Sequence, residues 1–159
     1  MDPLVSVGIP TFNRPEGLRR TLQAISSQTY KNIEIIISDN YSDNLMVKDV
    51  IAEYKMRDSR INSFNQDSNI GIVNNFKFVL KKATGNYFMW AADDDEWDVD
   101  FIGELMSIIG DHSAAFCNYK VIYKERGIVE HINIFTSASG EGQYEQARNY
   151  LRERIPSLF

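Results

Sequence analysis

Three aspartates and a glutamate in a row, Asp93-Asp94-Asp95-Glu96, follow an uncharged, mostly apolar run from Asn86 to Ala92. Carboxylates so close repel. At a separation of about 4 Å each pair costs on the order of 4 kcal/mol at an effective dielectric near 20. A divalent cation relieves that repulsion, and hard oxygen ligands suit Mg2+ or Mn2+. The same acids also suit a first helical turn, where negative charge complements the macrodipole and Asp98 can serve as N-cap. Two further clusters complement this one. Phe12 offers a ring face to a planar base, flanked by the hydrogen-bonding groups of Thr11 and Asn13. Asp39 and Asn40 offer a carboxylate and an amide to base edges, Asp93 can accept from ribose hydroxyls, and Asp94, with or without Asp95, can hold a cation that bridges two phosphates. Each also has a plain reading: Phe12 as a core aromatic, Asp39-Asn40 as turn chemistry, and Asn69 with Gly71 as a turn and helix entry.

The elements between these clusters decide whether they meet. Leu4 to Ile9 reads as a short strand, followed by a loop and a helix that starts at Pro15 with Asn13 as a candidate cap. Leu18, Leu22 and Ile25 continue that helix to about Gln28. Ile33 to Ser38 is a second apolar strand, and Val47, Val50, Ile51 and Tyr54 mark a second helix. Arg60 to Asn65 is a weaker third strand, and Ile72, Phe76, Val79 and Leu80 mark a third helix, closed by Gly85 at a C′-like position. Asn86 to Ala92 is the fourth strand and reads as buried in a covered sheet. Strands alternating with helices argue for a parallel sheet with right-handed crossovers. The clusters at Thr11, Asp39 and Asp93 each fall just after a strand, so they share one sheet edge, where open α/β sheets bind ligands.

Beyond Asp100 the pattern predicts a helix over Phe101 to Ile109, two strands over Ser113 to Tyr123 and Gly127 to Phe135 as a hairpin, a loop over residues 137–142, and a helix over Tyr144 to Arg154. A chain of 159 residues fits one domain with a real core. Its net charge of −5 argues against nucleic acid, because Lys81-Lys82 and Arg148, Arg152 and Arg154 are too sparse for a basic stripe. No apolar stretch reaches bilayer length, and Met1-Asp2-Pro3 begins no signal peptide. The lone Cys117 reads as a packing residue, and a reducing cytoplasm is the default location.

These pieces together resemble the family 2 glycosyltransferases. The resemblance is carried by Val5-Ser6-Val7-Gly8-Ile9-Pro10-Thr11-Phe12-Asn13-Arg14, Ser27-Gln28-Thr29-Tyr30, Glu34 to Asn40, Asn69-Ile70-Gly71, Ala83 to Tyr87, and Asp93 to Trp97, in family order over about residues 4 to 108. It implies a GT-A fold: an α/β, Rossmann-like, mostly parallel sheet with helices on both faces. Residues 1–110 then form the nucleotide-sugar (donor) half, and 111–159 the start of an acceptor half that stops short. It implies transfer of a sugar from a nucleotide-diphosphate donor to an acceptor hydroxyl, with inversion and with Mg2+ or Mn2+ on the diphosphate. The donor residues by this match are Pro10, Thr11, Phe12, Asn13, Asp39, Asn40, Asn69 and Asp93, and the metal ligands are Asp94 and Asp95, in the family's DXD-type region. The acceptor is a saccharide or lipid-linked saccharide; peripheral membrane contact and a homo-oligomer are compatible with it.

Two departures stand out. Asn40 replaces the second acid common in the family's second loop, and Ala92 stands where the acidic motif often begins with Asp. Inverting transfer also needs a carboxylate base; residues 111–159 offer Glu141 and Glu145 as candidates, beside a Gly-rich loop, in no clear version of the family's motif. The alternative is therefore a non-catalytic nucleotide-sugar-binding domain or fragment lacking the base. A receiver-like Mg2+ protein would also place acids at strand ends, but the later Thr/Ser and Lys pair is missing.

Overall fold

In the computed structural model, which describes residues 2–123 and 125–132, the first apolar run becomes strand β1 (Val5–Thr11), buried along its whole length. It pairs in parallel with β2 (Ile33–Asp39) in a register running from Val5 opposite Ile33 to Thr11 opposite Asp39. Strand β3 (Ile61–Asn65) adds in parallel to β2, and β4 (Tyr87–Trp90) adds in parallel to the free side of β1. The order across the sheet is β3-β2-β1-β4. Helices α1 (Pro15–Ser26), α2 (Leu45–Arg57) and α3 (Ile72–Lys82) supply the crossovers.

The connections explain the shape. Through α1 and α2 the chain steps from β1 to β2 to β3, and α1 and α2 pack on each other. Through α3 it turns back past β2 and β1 to β4, and α3 packs on β1 and β2. Right-handed crossovers in opposite directions place α3 on the face opposite α1 and α2. The winding therefore reverses between β1 and β4. That reversal is a topological switch point, and it leaves a crevice at the strands' carboxyl ends.

Burial on both faces is why β1 and β2 read as near-continuous apolar runs rather than alternating ones. Val7, Ile9, Ile35 and Ile37 are buried, as are Leu18, Leu22 and Ile25 of α1, Val47 and Val50 of α2, and Val79 of α3. Each such side chain stabilises the fold by about 1.5–3 kcal/mol relative to exposure.

Several local expectations change. Tyr87–Trp90 is half-buried rather than buried, because β4 has β1 on one side and no strand on the other among the described residues. The residue capping α1 is Arg14; Asn13 instead takes a left-handed conformation, φ 56°. Gly85 lies beyond the cap of α3, Ala83. Its glycine identity follows from packing: a Cβ there would lie 2.7 Å from the Leu4 carbonyl oxygen. Helix α4 (Phe101–Ile109) begins too late for Asp98 to cap it.

One compact unit ends at Glu104 and a second begins at Leu105. In the second, β5 (Tyr119–Tyr123) and β6 (Ile128–Ile132) form an antiparallel hairpin from Tyr119 opposite Ile132 to Tyr123 opposite Ile128. Residues 113–118 form no strand. The predicted loop over 137–142, the helix Tyr144 to Arg154, and Glu141 and Glu145 lie outside the described residues.

Candidate functional site

Strand β1 ends at Thr11, beside the switch point, and its hydroxyl donates to Asp93 Oδ2 at 2.8 Å. Arg14, three positions further on, completes the contact. Arg14 Nη1 donates to Asp93 Oδ1 at 3.2 Å and to Asp94 Oδ2 at 2.9 Å. So a neutral donor and a cation from the first loop meet two successive acids from the loop after β4. Asp93 is almost fully buried, whereas Asp94 is exposed. Burial raises the Asp93 pKa, and the Thr11 hydroxyl and Arg14 only partly offset it. Asp95 keeps solvent contact but is crowded by neighbouring atoms; that desolvation, then Asp94 and Asp93, raises its pKa as well. The Arg14 guanidinium is held above its ordinary value by its hydrogen bond to Asp94 and by both negative charges.

The second loop joins the first through backbone and amides. Asn40 N–H donates to the Thr11 carbonyl at 3.0 Å. Its side chain then bridges outward: Nδ2 donates to Asn69 Oδ1 at 3.0 Å, and Oδ1 accepts from the Ile70 N–H at 2.9 Å. Asn69 Oδ1 also accepts from the Gly71 N–H. Asn13 stitches the same loops, its N–H donating to Ser42 Oγ and its Oδ1 accepting from the Asn44 N–H. Asp39 is buried, and its Oδ1 accepts from both the backbone N–H and the hydroxyl of Ser42.

A cleft of about 310 Å³ opens where these loops meet. Pro10, Thr11, Phe12 and Arg14 line one part, Asn40 another, and Ala92, Asp93 and Asp94 a third; Ile72, Asn75 and Phe76 of α3 close it. This volume lies at the small end of the range for ligand pockets. Phe12 is 40% exposed, so it is a rim residue and not a core aromatic. Of the residues singled out by sequence, Pro10, Thr11, Phe12, Asn40, Asp93 and Asp94 line the cleft. Asn13, Asp39 and Asn69 brace its loops, and Asp95 is not part of its wall.

Four contributors carry no role in the sequence reading. Arg14 is one; its signal is a lone cation in a loop that faces an acidic run. Asn75 is buried, accepts from the Ser38 hydroxyl at 2.6 Å and donates to the Ser38 carbonyl at 3.1 Å. Its signal is a polar residue four positions before the buried Val79, on the apolar face of α3. Gln28 is fully buried; its Nε2 donates to the Asp98 carbonyl at 2.6 Å and its Oε1 accepts from the Ile102 N–H at 2.9 Å. Gly17 lies directly under the acidic loop, where a Cβ would meet the Asp93 carbonyl oxygen at 2.1 Å.

The donor set at the acidic loop fits a hard divalent cation. Asp93 and Asp94 present carboxylate oxygens at one point, and the Arg14 nitrogen between them is a stand-in cation. Among the described residues no three His, Cys, Asp or Glu side chains converge. Mg2+ commonly takes only one or two protein carboxylates, with phosphate oxygens and water completing the shell.

Comparison with known proteins identifies the fold and the family. A beta-1,3-glucosyltransferase of Campylobacter jejuni, named for a GalNAc(5)-diNAcBac-PP-undecaprenol substrate, is 33% identical over 142 residues, covering 88% of this chain and 43% of the relative. The chain spans about two fifths of the length of curated relatives such as this one. The mannosyltransferase PcManGT of Pyrobaculum calidifontis, solved with GDP-Man and Mn2+, superposes with a TM-score of 0.64 at 19% identity, over 70% of this chain and 33% of that one. S. aureus TarS 1-349 in complex with UDP-GlcNAc gives a TM-score of 0.62 at 19% identity, over 68% of this chain and 31% of that one. The fold is thus that of the GT-A enzymes. The model of glycosyl transferase family 2 matches residues 6–157, nearly the whole chain. The chain belongs to glycosyl transferase family 2.

Proposed function

We propose that this chain binds a nucleotide-diphosphate sugar and serves metal-dependent, inverting transfer of the sugar to an acceptor hydroxyl. One observation carries the reading: Thr11, Arg14, Asp93 and Asp94 converge at the β1–β4 switch point, on the wall of a single cleft. In this reading residues 1–110 form the donor half and 111–159 begin the acceptor half. The Phe12 ring lies at the rim for the base. Thr11 orients Asp93 towards the ribose hydroxyls, and Asp94 holds Mg2+ or Mn2+, with Asp95 as a nearby reserve of charge. A divalent cation so held neutralises the diphosphate and stabilises it as a leaving group.

The donor's base follows less directly. One N–H and one lone pair of the Asn40 amide are engaged with Asn69 and Ile70, so Asn40 braces the base pocket and keeps one donor and one acceptor site for a base edge. UDP-, dTDP- and GDP-sugars are therefore all proper probes, and two GT-A structures hold UDP-GlcNAc and GDP-Man. The acceptor we infer is a saccharide or lipid-linked saccharide, by analogy with the relative named for a PP-undecaprenol-linked one. Among the described residues no helix is long and apolar enough to cross a membrane.

The test is thermal denaturation with each nucleoside diphosphate, with and without Mn2+. Ligand at a hundredfold excess over Kd stabilises by about 2.7 kcal/mol, which for a chain of this size raises Tm by about 5–10 °C. Asp94→Ala is expected to remove the part of the shift that needs Mn2+. A Tm indifferent to every nucleotide rejects the reading.

A further inference from the structure

Arg14 faces the acids through a single nitrogen. Its Nη1 is shared between Asp93 Oδ1 at 3.2 Å and Asp94 Oδ2 at 2.9 Å, and its other guanidinium nitrogens make no hydrogen bond with any described residue. The side chain is 56% exposed and lies on the cleft wall, and Asp94 is 63% exposed. Two negative charges thus share one positive charge, held by one atom of a five-donor group. The Arg14–Asp94 pair is exposed on both sides and weak enough to exchange, whereas the Asp93 side chain is only 9% exposed. A divalent cation neutralises both carboxylates better than a monovalent one. The guanidinium fork in turn suits phosphate, which it binds through two parallel N–H···O bonds.

We propose that Arg14 is an exchangeable counter-ion of the acidic loop. It bridges Asp93 and Asp94 in the protein alone, yields Asp94 to the divalent cation and Asp93 to the ribose, and turns its fork to the donor's diphosphate. Arg14 is on this account a positioning residue before donor binding and a phosphate ligand after it. The inference rests on the donor-site reading above. It adds that cation and guanidinium compete for the Asp94 carboxylate before nucleotide arrives.

The test measures Mn2+ binding alone, by the loss of the free-ion paramagnetic resonance signal, and then UDP and GDP binding by calorimetry at saturating Mn2+. Arg14→Met is expected to bind Mn2+ alone about two- to fivefold more tightly than the parent, the range for loss of an exposed ion-pair competitor, and to bind the nucleoside diphosphates less tightly. Arg14→Lys keeps the charge without the fork; it should leave Mn2+ affinity near the parent value and still weaken the nucleotide. Arg19→Met, which removes the same charge from a pair with Glu53 elsewhere on α1, should change neither. Unchanged or weaker Mn2+ binding in Arg14→Met overturns the proposal, as does an equal gain in Arg19→Met, which would trace the effect to net charge. A parent chain that binds Mn2+ and nucleotide while Arg14→Met matches it sinks the role of Arg14 alone. A parent chain that binds neither sinks the donor site and this inference together.

Discussion

A carboxylate at position 40 would face Asn69 Oδ1 with no proton to offer, where the native amide donates across 3.0 Å. It could still accept from Ile70, so one atom decides the cost. Asn40→Asp leaves the Asn69 oxygen facing a carboxylate, but Asn69 is exposed and keeps the Gly71 N–H, so the expected loss is that of one ordinary hydrogen bond, about 0.5–1.5 kcal/mol. Urea denaturation of the variant checks this; an unchanged midpoint contradicts the bridging role. The substitution that looks, by family pattern, like a missing acid is thus explained by what its two functions join. Nothing in the local sequence discloses that, because the partners Asn69 and Ile70 lie about thirty positions away.

Helix α1 is the platform on which the acidic loop rests. The Thr21 hydroxyl donates to the Ala92 carbonyl at 3.1 Å, the Asp93 carbonyl lies over Gly17, and Gln28 grips Asp98 and the first turn of α4. The Thr29 N–H adds a bond to the Val99 carbonyl at 2.9 Å. Replacing Gln28 by Leu removes one of two donors to the Asp98 carbonyl, which keeps the Phe101 N–H, and leaves the buried Ile102 N–H without its acceptor. The expected loss is about 1–3 kcal/mol for this one unpaired group, together with faster amide hydrogen exchange at Ile102. Exchange that matches the parent at this amide means that Gln28 does not hold the loop. The apolar stripe of α1, Leu18, Leu22 and Ile25, is legible from its helical spacing. The residues that receive the loop are not, because periodicity reports which face is buried and says nothing of what lands on the other faces.

At the scale of the molecule, the alternation of strands and helices was enough to place three polar loops on one sheet edge. The strand order was not available from it. That order, with β1 between β2 and β4, makes the first and fourth loops neighbours across the crevice and lets Thr11 and Arg14 reach Asp93. Stability of the same sheet is tied to pH through Asp58, at the junction of α2 and β3. Its hydrogen bonds to Arg60 lower its pKa from 3.8 to about 2, and Arg60 also reaches the Ser26 carbonyl at the end of α1. A folded value below the ordinary one favours the ionised folded state. The contribution, on the order of 2 kcal/mol, is therefore complete above the ordinary value and is lost as pH falls through the folded one. Asp58→Asn should lower stability at neutral pH and flatten the acid limb of a pH–stability curve over that window; a limb as steep as the parent's points to other carboxylates.

The most direct measurement locates Mn2+ itself. Nuclear magnetic resonance of the labelled chain, titrated with Mn2+ in the presence of a nucleoside diphosphate, reads out which amides broaden first. Convergence at the switch point predicts the earliest loss at Thr11 to Arg14 and at Asp93 to Asp95, with Leu4, Asn32 and Gly85 at the opposite edge of the sheet persisting longest. Broadening that starts at that opposite edge, or that ignores the nucleotide, contradicts it.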